Sequence, residues 1–124
     1  MQKSPPNLRE RTYGYARRII RLFRALPHDD VARTLGRQLL RSGTSVGANY
    51  REASSSRSKA EFISKLGDCH KEIDESDYWL GLIQDEAVLP ATKLRSIRQE
   101  TTELFAIFTS SLNTAKRDEN RGKS

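Results

Sequence analysis

Apolar and polar positions along this chain repeat at helical spacing almost from end to end. From Leu8 to about Leu26 the stripe is Thr12, Ala16, Ile19, Ile20, Phe23 and Leu26. Pro27 closes it, because the residue before a proline is pushed out of the α region. His28-Asp29-Asp30 then opens a second helix, with acids in the electropositive first turn. Its stripe is Val31, Leu35, Leu39, Ser42, Val46, Tyr50 and Ala53. The polar run "SSSRSKAE" turns into a third helix, and Ser58 with Glu61 has capping-box spacing. That helix carries Phe62, Ile63, Leu66, Cys69, Ile73, Leu80 and Ile83. "DEAVLPA", with Pro90, makes the next turn. The fourth stripe is Leu94, Ile97, Thr101, Leu104, Phe105, Phe108 and Leu112. No strand alternation and no repeat interrupts the pattern. Four helices with short connections predict an all-α, antiparallel up-down four-helix bundle. Its expected span is 8–117, after a disordered lead-in at 1–7 and before a charged, frayed tail at 118–124.

The stretch "RSGTSVGANYREAS", Arg41 to Ser54, tests this reading. A phosphate-cradling loop needs a strand before its glycines and usually a lysine after them. Here no strand precedes, no lysine lies between Lys3 and Lys59, and the apolar phase runs straight through. Gly36, Gly43 and Gly47 fall on one flank of the helix, beside Leu40. Each costs a helix roughly 1 kcal/mol relative to alanine. Close approach of a neighbouring helix explains them; simple tolerance is the other reading.

Charge adds a direction to the bundle. The net charge is +6. Residues 1–59 hold 13 Lys/Arg against 4 Asp/Glu, and residues 60–124 hold 9 against 12. The first half is therefore the side for an anionic partner. Arg17, Arg21 and Arg24 follow at i, i+4 and i+7 on the first helix. Arg33, Arg37, Arg41 and Arg51 lie opposite the core on the second. Such ridges can track a phosphate backbone, form an ordinary solvated face, or dock on another subunit. The third helix offers the complement: Glu61, Asp68, Glu72 and Glu75 form an acidic ridge with Trp79 on the same side. Arg–carboxylate pairs would fix the register there, and a half-exposed tryptophan makes an interface anchor.

Composition points to a reducing, cytoplasmic setting. One cysteine, Cys69, allows no internal disulfide. No apolar run approaches the roughly 20 residues that span a bilayer, and "MQKSPPNLRE" lacks the apolar core of a secretion signal. Catalytic chemistry finds no foothold. His70 and Cys69 are helical neighbours that point about 100° apart, a poor geometry for sharing a proton. Glu72-x-x-Glu75 lacks the histidine of a bundle metal site, and the other histidine, His28, sits in a turn. Asp77 reads as a structural acceptor on the buried side of its helix. No enzyme, metal or cofactor is expected.

Three segments, "LRSGTSVGANYREA", "RSKAEFISKLGDCHKEIDESDYWL" and "ELFAIFTSSLNTAK", resemble the four-helix bundle protein family, whose members include proteins encoded in intervening sequences of bacterial 23S rRNA genes. The resemblance covers about residues 8–117. It implies an up-down bundle, often assembled as a ring-shaped homopentamer. A distant relative is the accessory protein of diversity-generating retroelements, a similar pentamer that binds nucleic acid and a reverse transcriptase through a basic surface. The family pattern carries no catalytic residues. Its recurrent polar positions match Asn49, Arg51, Glu52, Glu61, Lys65, Glu72 and Glu75, which the resemblance implies are helix–helix and subunit-interface contacts. A ring is a head-to-tail interface, which suits a chain with a basic half and an acidic ridge. The functional expectation is a homo-oligomeric bundle that binds RNA or DNA through Arg17, Arg21, Arg24, Arg33, Arg37 and Arg41. The alternative is an oligomeric protein–protein scaffold.

Overall fold

A computed structural model describes residues 7–122. The chain forms α1 (Leu8–Ala25), α2 (Asp30–Ser54), α3 (Lys59–Asp85) and α4 (Ala91–Gly122). Among the described residues there is no strand. Local chemistry sets the boundaries. Asn7 Oδ1 accepts the Glu10 N–H at 3.1 Å, Asp29 Oδ1 the Ala32 N–H at 2.9 Å and Ser58 Oγ the Glu61 N–H at 3.0 Å. Each satisfies an amide that the first turn leaves without a carbonyl. The end of α3 closes differently. Ala87 takes a left-handed φ of 54°, and Val88 N–H reaches back to Ile83 C=O at 2.9 Å, the bond pattern of a Schellman cap. Glycine is the usual residue at that place; Ala87 holds it here with a Cβ.

Positions 1–6 of the expected lead-in lie outside the described residues, and Asn7 belongs to the cap of α1. The fourth helix does not stop where the charged tail was expected to begin. It continues through position 117 to Gly122.

The buried positions repeat every seven residues. They are Leu66, Ile73, Leu80 with Cys69, Ser76, Ile83 on α3, and Leu94, Thr101, Phe108, Ala115 with Ile97, Leu104 on α4. On α2 they are Ala32, Leu39, Val46 and Ala53, flanked by Gly36 and Gly43. A seven-residue repeat keeps one seam facing the neighbours along the whole length, as in coiled coils. Two expectations change. Val31 is 58% exposed, and its neighbour Ala32 takes the core position. Asp77 is half-exposed at the α3–α4 seam, 3.6 Å from Arg98 Nη2.

Each helix packs on the next in the sequence, and α4 returns beside α1 in the sparsest pairing. The α1–α2 seam is where the glycines sit. Cβ atoms built at Gly36, Gly43 and Gly47 would meet Leu26 and Phe23, Ile19, and Thr12 respectively. The glycines therefore mark close helix packing. At mid-height every helix contributes a buried hydroxyl. Tyr15 OH and Thr101 Oγ1 lie 2.7 Å apart, and Ser42 Oγ and Ser76 Oγ 2.9 Å apart. Ser76 and Thr101 donate to the carbonyls of Glu72 and Ile97 one turn back. No buried side-chain nitrogen or oxygen among the described residues lacks a partner. No described helix is long and apolar enough to cross a membrane.

Candidate nucleic-acid interface

Two groups of arginines stand out. One group is held by carboxylates inside the chain. Arg11 bridges α1 to α4 through Glu100 at 2.7 Å and Glu103 at 3.3 Å. Its guanidinium is held above its ordinary pKa, first by the Glu100 hydrogen bond and against a desolvation cost. Arg41 bridges α2 to α3, binding Glu72 at 3.1 Å and also Glu75. Glu75 is correspondingly held below its usual carboxylate range, first by the Arg41 hydrogen bond. Trp79 Nε1 donates to the same carboxylate at 3.4 Å. Arg98 lies against Gln84 and Asp77.

The other group faces out. Arg17, Arg21, Arg24 and Arg37 are exposed on α1 and α2, and among the described residues none has a carboxylate partner. Arg33 lies with its guanidinium carbon 4.5 Å from the Phe23 ring centroid, a cation–π contact that leaves its N–H groups available. The ridge has a reason in the fold. Core positions on α1 are Leu8, Thr12, Tyr15 and Ile19, so Arg17, Arg21 and Arg24 come out on the opposite side at 100° per residue.

Three members of the acidic ridge expected on α3, Glu61, Glu72 and Glu75, make contacts within the chain. Glu72 and Glu75 share Arg41 of α2, Trp79 donates to Glu75, and Glu52 pairs with Lys65 at 2.8 Å. Glu61 serves its own helix start: its N–H is capped by Ser58, and its Oε2 accepts from Arg57 N–H at 3.4 Å. Asn49 is half-buried on α2. Arg51 lies 5.7 Å from the Tyr13 ring centroid. Residues exposed on α3 include Glu61, Ser64, Lys71, Asp74 and Tyr78; Tyr78 is 60% exposed and edge-on to Trp79.

His70 and Cys69 are engaged within the bundle. His70 Nε2 lies 2.8 Å from Thr109 Oγ1, and its ring stacks on Phe105. Burial pushes the Cys69 thiol up to about 12, which disfavours the thiolate needed for nucleophilic chemistry. Among the described residues, no three His, Cys, Asp or Glu converge on a possible metal position. Sequence reasoning passed over Tyr13, which is 57% exposed between Arg9 and Arg17. Its signal was the four-residue spacing shared with those arginines.

No curated protein matches the chain. Among solved structures, it is similar to a protein of unknown function from the S23 ribosomal protein family of Bacteroides thetaiotaomicron, at 34% identity. The match covers 85% of this chain and 97% of that one, with a TM-score of 0.80. The family model for 23S rRNA-intervening sequence proteins matches residues 7–110. A bundle of this topology, matched over most of its length, places the chain in the 23S rRNA-intervening sequence protein family.

Proposed function

We propose that this chain is a non-enzymatic, homo-oligomeric helical bundle, ring-like and pentameric, that binds RNA or DNA in the cytoplasm. Binding is electrostatic and runs through the outer face of α1 and α2. The observation that carries this reading is the selective pairing of the arginines. Arg11, Arg41 and Arg98 are engaged by the chain's own acids, whereas Arg17, Arg21, Arg24 and Arg37 face solvent without a carboxylate partner among the described residues. Unpaired arginines on one face gain most from phosphates, whose condensed counterions they release. Arg33 joins this group, and Arg41 contributes least because two carboxylates already hold it. A ring repeats the face in every subunit and multiplies its effective concentration along a polymer.

A second reading, an oligomeric protein–protein scaffold, draws on exposed Tyr78 beside Trp79, an aromatic pair of the kind that anchors interfaces. Light scattering at low and high salt, with absorbance followed at nucleic-acid and protein wavelengths, separates the two. A ring-sized mass whose co-purifying nucleic acid is stripped by salt supports the first. A clean oligomer without nucleic acid at low salt favours the scaffold.

A further inference from the structure

Tyr13 stands out from α1 between two surface hollows, and both are bordered by Tyr13, Arg9 and Arg51. One hollow, about 300 Å³, follows the α1–α2 seam over Ala16 and Ile20, beside the short side chain of Ala48. The other, about 260 Å³, lies toward the start of α1 beside Glu10. The seam hollow has no carboxylate in its lining. It therefore combines an apolar floor, an exposed aromatic wall and two guanidinium groups at the rim.

We propose that this seam hollow is a base-stacking slot for single-stranded nucleic acid. An unpaired base takes the place of Arg51 against Tyr13, over Ala16 and Ile20, with its phosphate between Arg9 and the displaced Arg51. The slot rests on the nucleic-acid reading above and narrows it to a class of ligand. The chemistry selects that class in two ways. A nucleotide joins a flat apolar face to an anion within a few bonds, which is the pairing that the floor and rim offer. In a duplex the base faces are already stacked and cannot reach a side chain at the protein surface. The position fits as well. Arg9, Tyr13, Arg17 and Arg21 follow at four-residue intervals on one side of α1, about 6 Å apart along the axis. A strand tracking the arginine ridge thus passes the tyrosine. Glu10 lines only the other hollow, which directs the anion to the seam side.

The test uses the full chain, a fluorescently labelled single-stranded RNA of about 12 nucleotides and the duplex of the same sequence. A second copy of the single strand carries a fluorescent purine analogue. Tyr13→Ala is expected to weaken single-strand binding about 5- to 100-fold, the range for loss of one base–aromatic stack. Duplex affinity should stay within about twofold, since phosphate contacts alone serve it. Tyr13→Phe should keep single-strand affinity, and the analogue's emission should be quenched by wild type and Tyr13→Phe but not by Tyr13→Ala. Unchanged single-strand affinity in Tyr13→Ala overturns the slot while leaving the arginine face standing. Equal weakening of both ligands also overturns it, since stacking acts on only one of them. A wild-type protein that binds neither ligand removes the nucleic-acid reading and the slot together.

Discussion

Gly43 of α2 sits directly beneath Ile19 of α1: a Cβ at position 43 would lie 2.8 Å from Ile19 Cγ1 and 3.0 Å from its Cγ2. Ile19 is fully buried and, as a β-branched residue in a helix, has one strongly preferred χ1. It cannot swing aside, so the helices must part. Overpacking of this kind costs about 1–3 kcal/mol, against roughly 1 kcal/mol of helix propensity gained by removing a glycine. Gly43→Ala should therefore destabilise by up to about 2 kcal/mol net. Gly14 provides the control, since a Cβ there meets nothing within 4 Å. Gly14→Ala should stabilise by about 0.5–1 kcal/mol. Thermal unfolding of the two variants should move in opposite directions.

The buried hydroxyl layer makes stability fall on the alkaline side. Burial pushes the Tyr15 phenol up to about 12, opposed by its hydrogen bonds with Thr101 and Ser76. The Cys69 thiol is raised likewise. In the unfolded chain these groups titrate near 10 and 9, so above those values the unfolded state sheds protons that the folded state retains. Their contribution is complete below about pH 9 and is lost as pH rises toward about 12. For Tyr15 the loss is about 2–3 kcal/mol across its window. Denaturant titrations at a series of pH values should show this decline. Tyr15→Phe should flatten its upper part, at a cost near neutral pH of about 1 kcal/mol for the lost hydrogen bond.

The Arg41–Glu75 contact works on the acidic side. Arg41, followed by Trp79, lowers the Glu75 carboxyl, so this stabilisation is present above the unfolded value of 4.5 and fades as pH falls through the lower folded value. The side chains are 50% and 30% exposed, which limits the pair to about 0.5–1 kcal/mol. A double-mutant cycle with Arg41→Ala and Glu75→Gln should return that coupling near pH 7, and less of it at about pH 3. The same pairing makes Arg41→Ala less damaging to nucleic-acid binding than Arg37→Ala, because Arg37 has no such partner among the described residues.

The sequence showed the four helices because their core positions repeat at a helical period and each break falls at a cap or a proline. It also showed the glycine flank of α2, since three glycines on one side need a close neighbour. What one helix cannot show is which helix lies beside it. Tyr15 and Thr101 are 86 positions apart, so the hydroxyl layer belongs to the topology rather than to any stripe. Ser76 is polar yet fully buried because the Glu72 carbonyl and Ser42 satisfy it. Val31 is the more apolar of two neighbours, but the seven-residue phase through Leu39, Val46 and Ala53 selects Ala32. The arginines of α1 were legible from their spacing. Arg41 looked equivalent to Arg37 on a wheel, and only the approach of α3 distinguishes them. Tyr13 stayed hidden because an exposed aromatic outside the core stripe has no meaning until the neighbouring seam is seen to be hollow.

The central claim is that the outer arginines of α1 hold phosphates. The most direct test is the salt dependence of RNA affinity for wild type and for Arg17→Glu/Arg21→Glu/Arg24→Glu, with the helical content and oligomer mass of both proteins checked in parallel. Each phosphate contact contributes about −0.7 to −0.9 to the slope of log affinity against log salt. The account predicts a steep wild-type slope, and for the variant a slope shallower by about 2–3 per engaged subunit, with fold and mass unchanged. Wild-type affinity that is insensitive to salt, or a variant with the same slope, would contradict it.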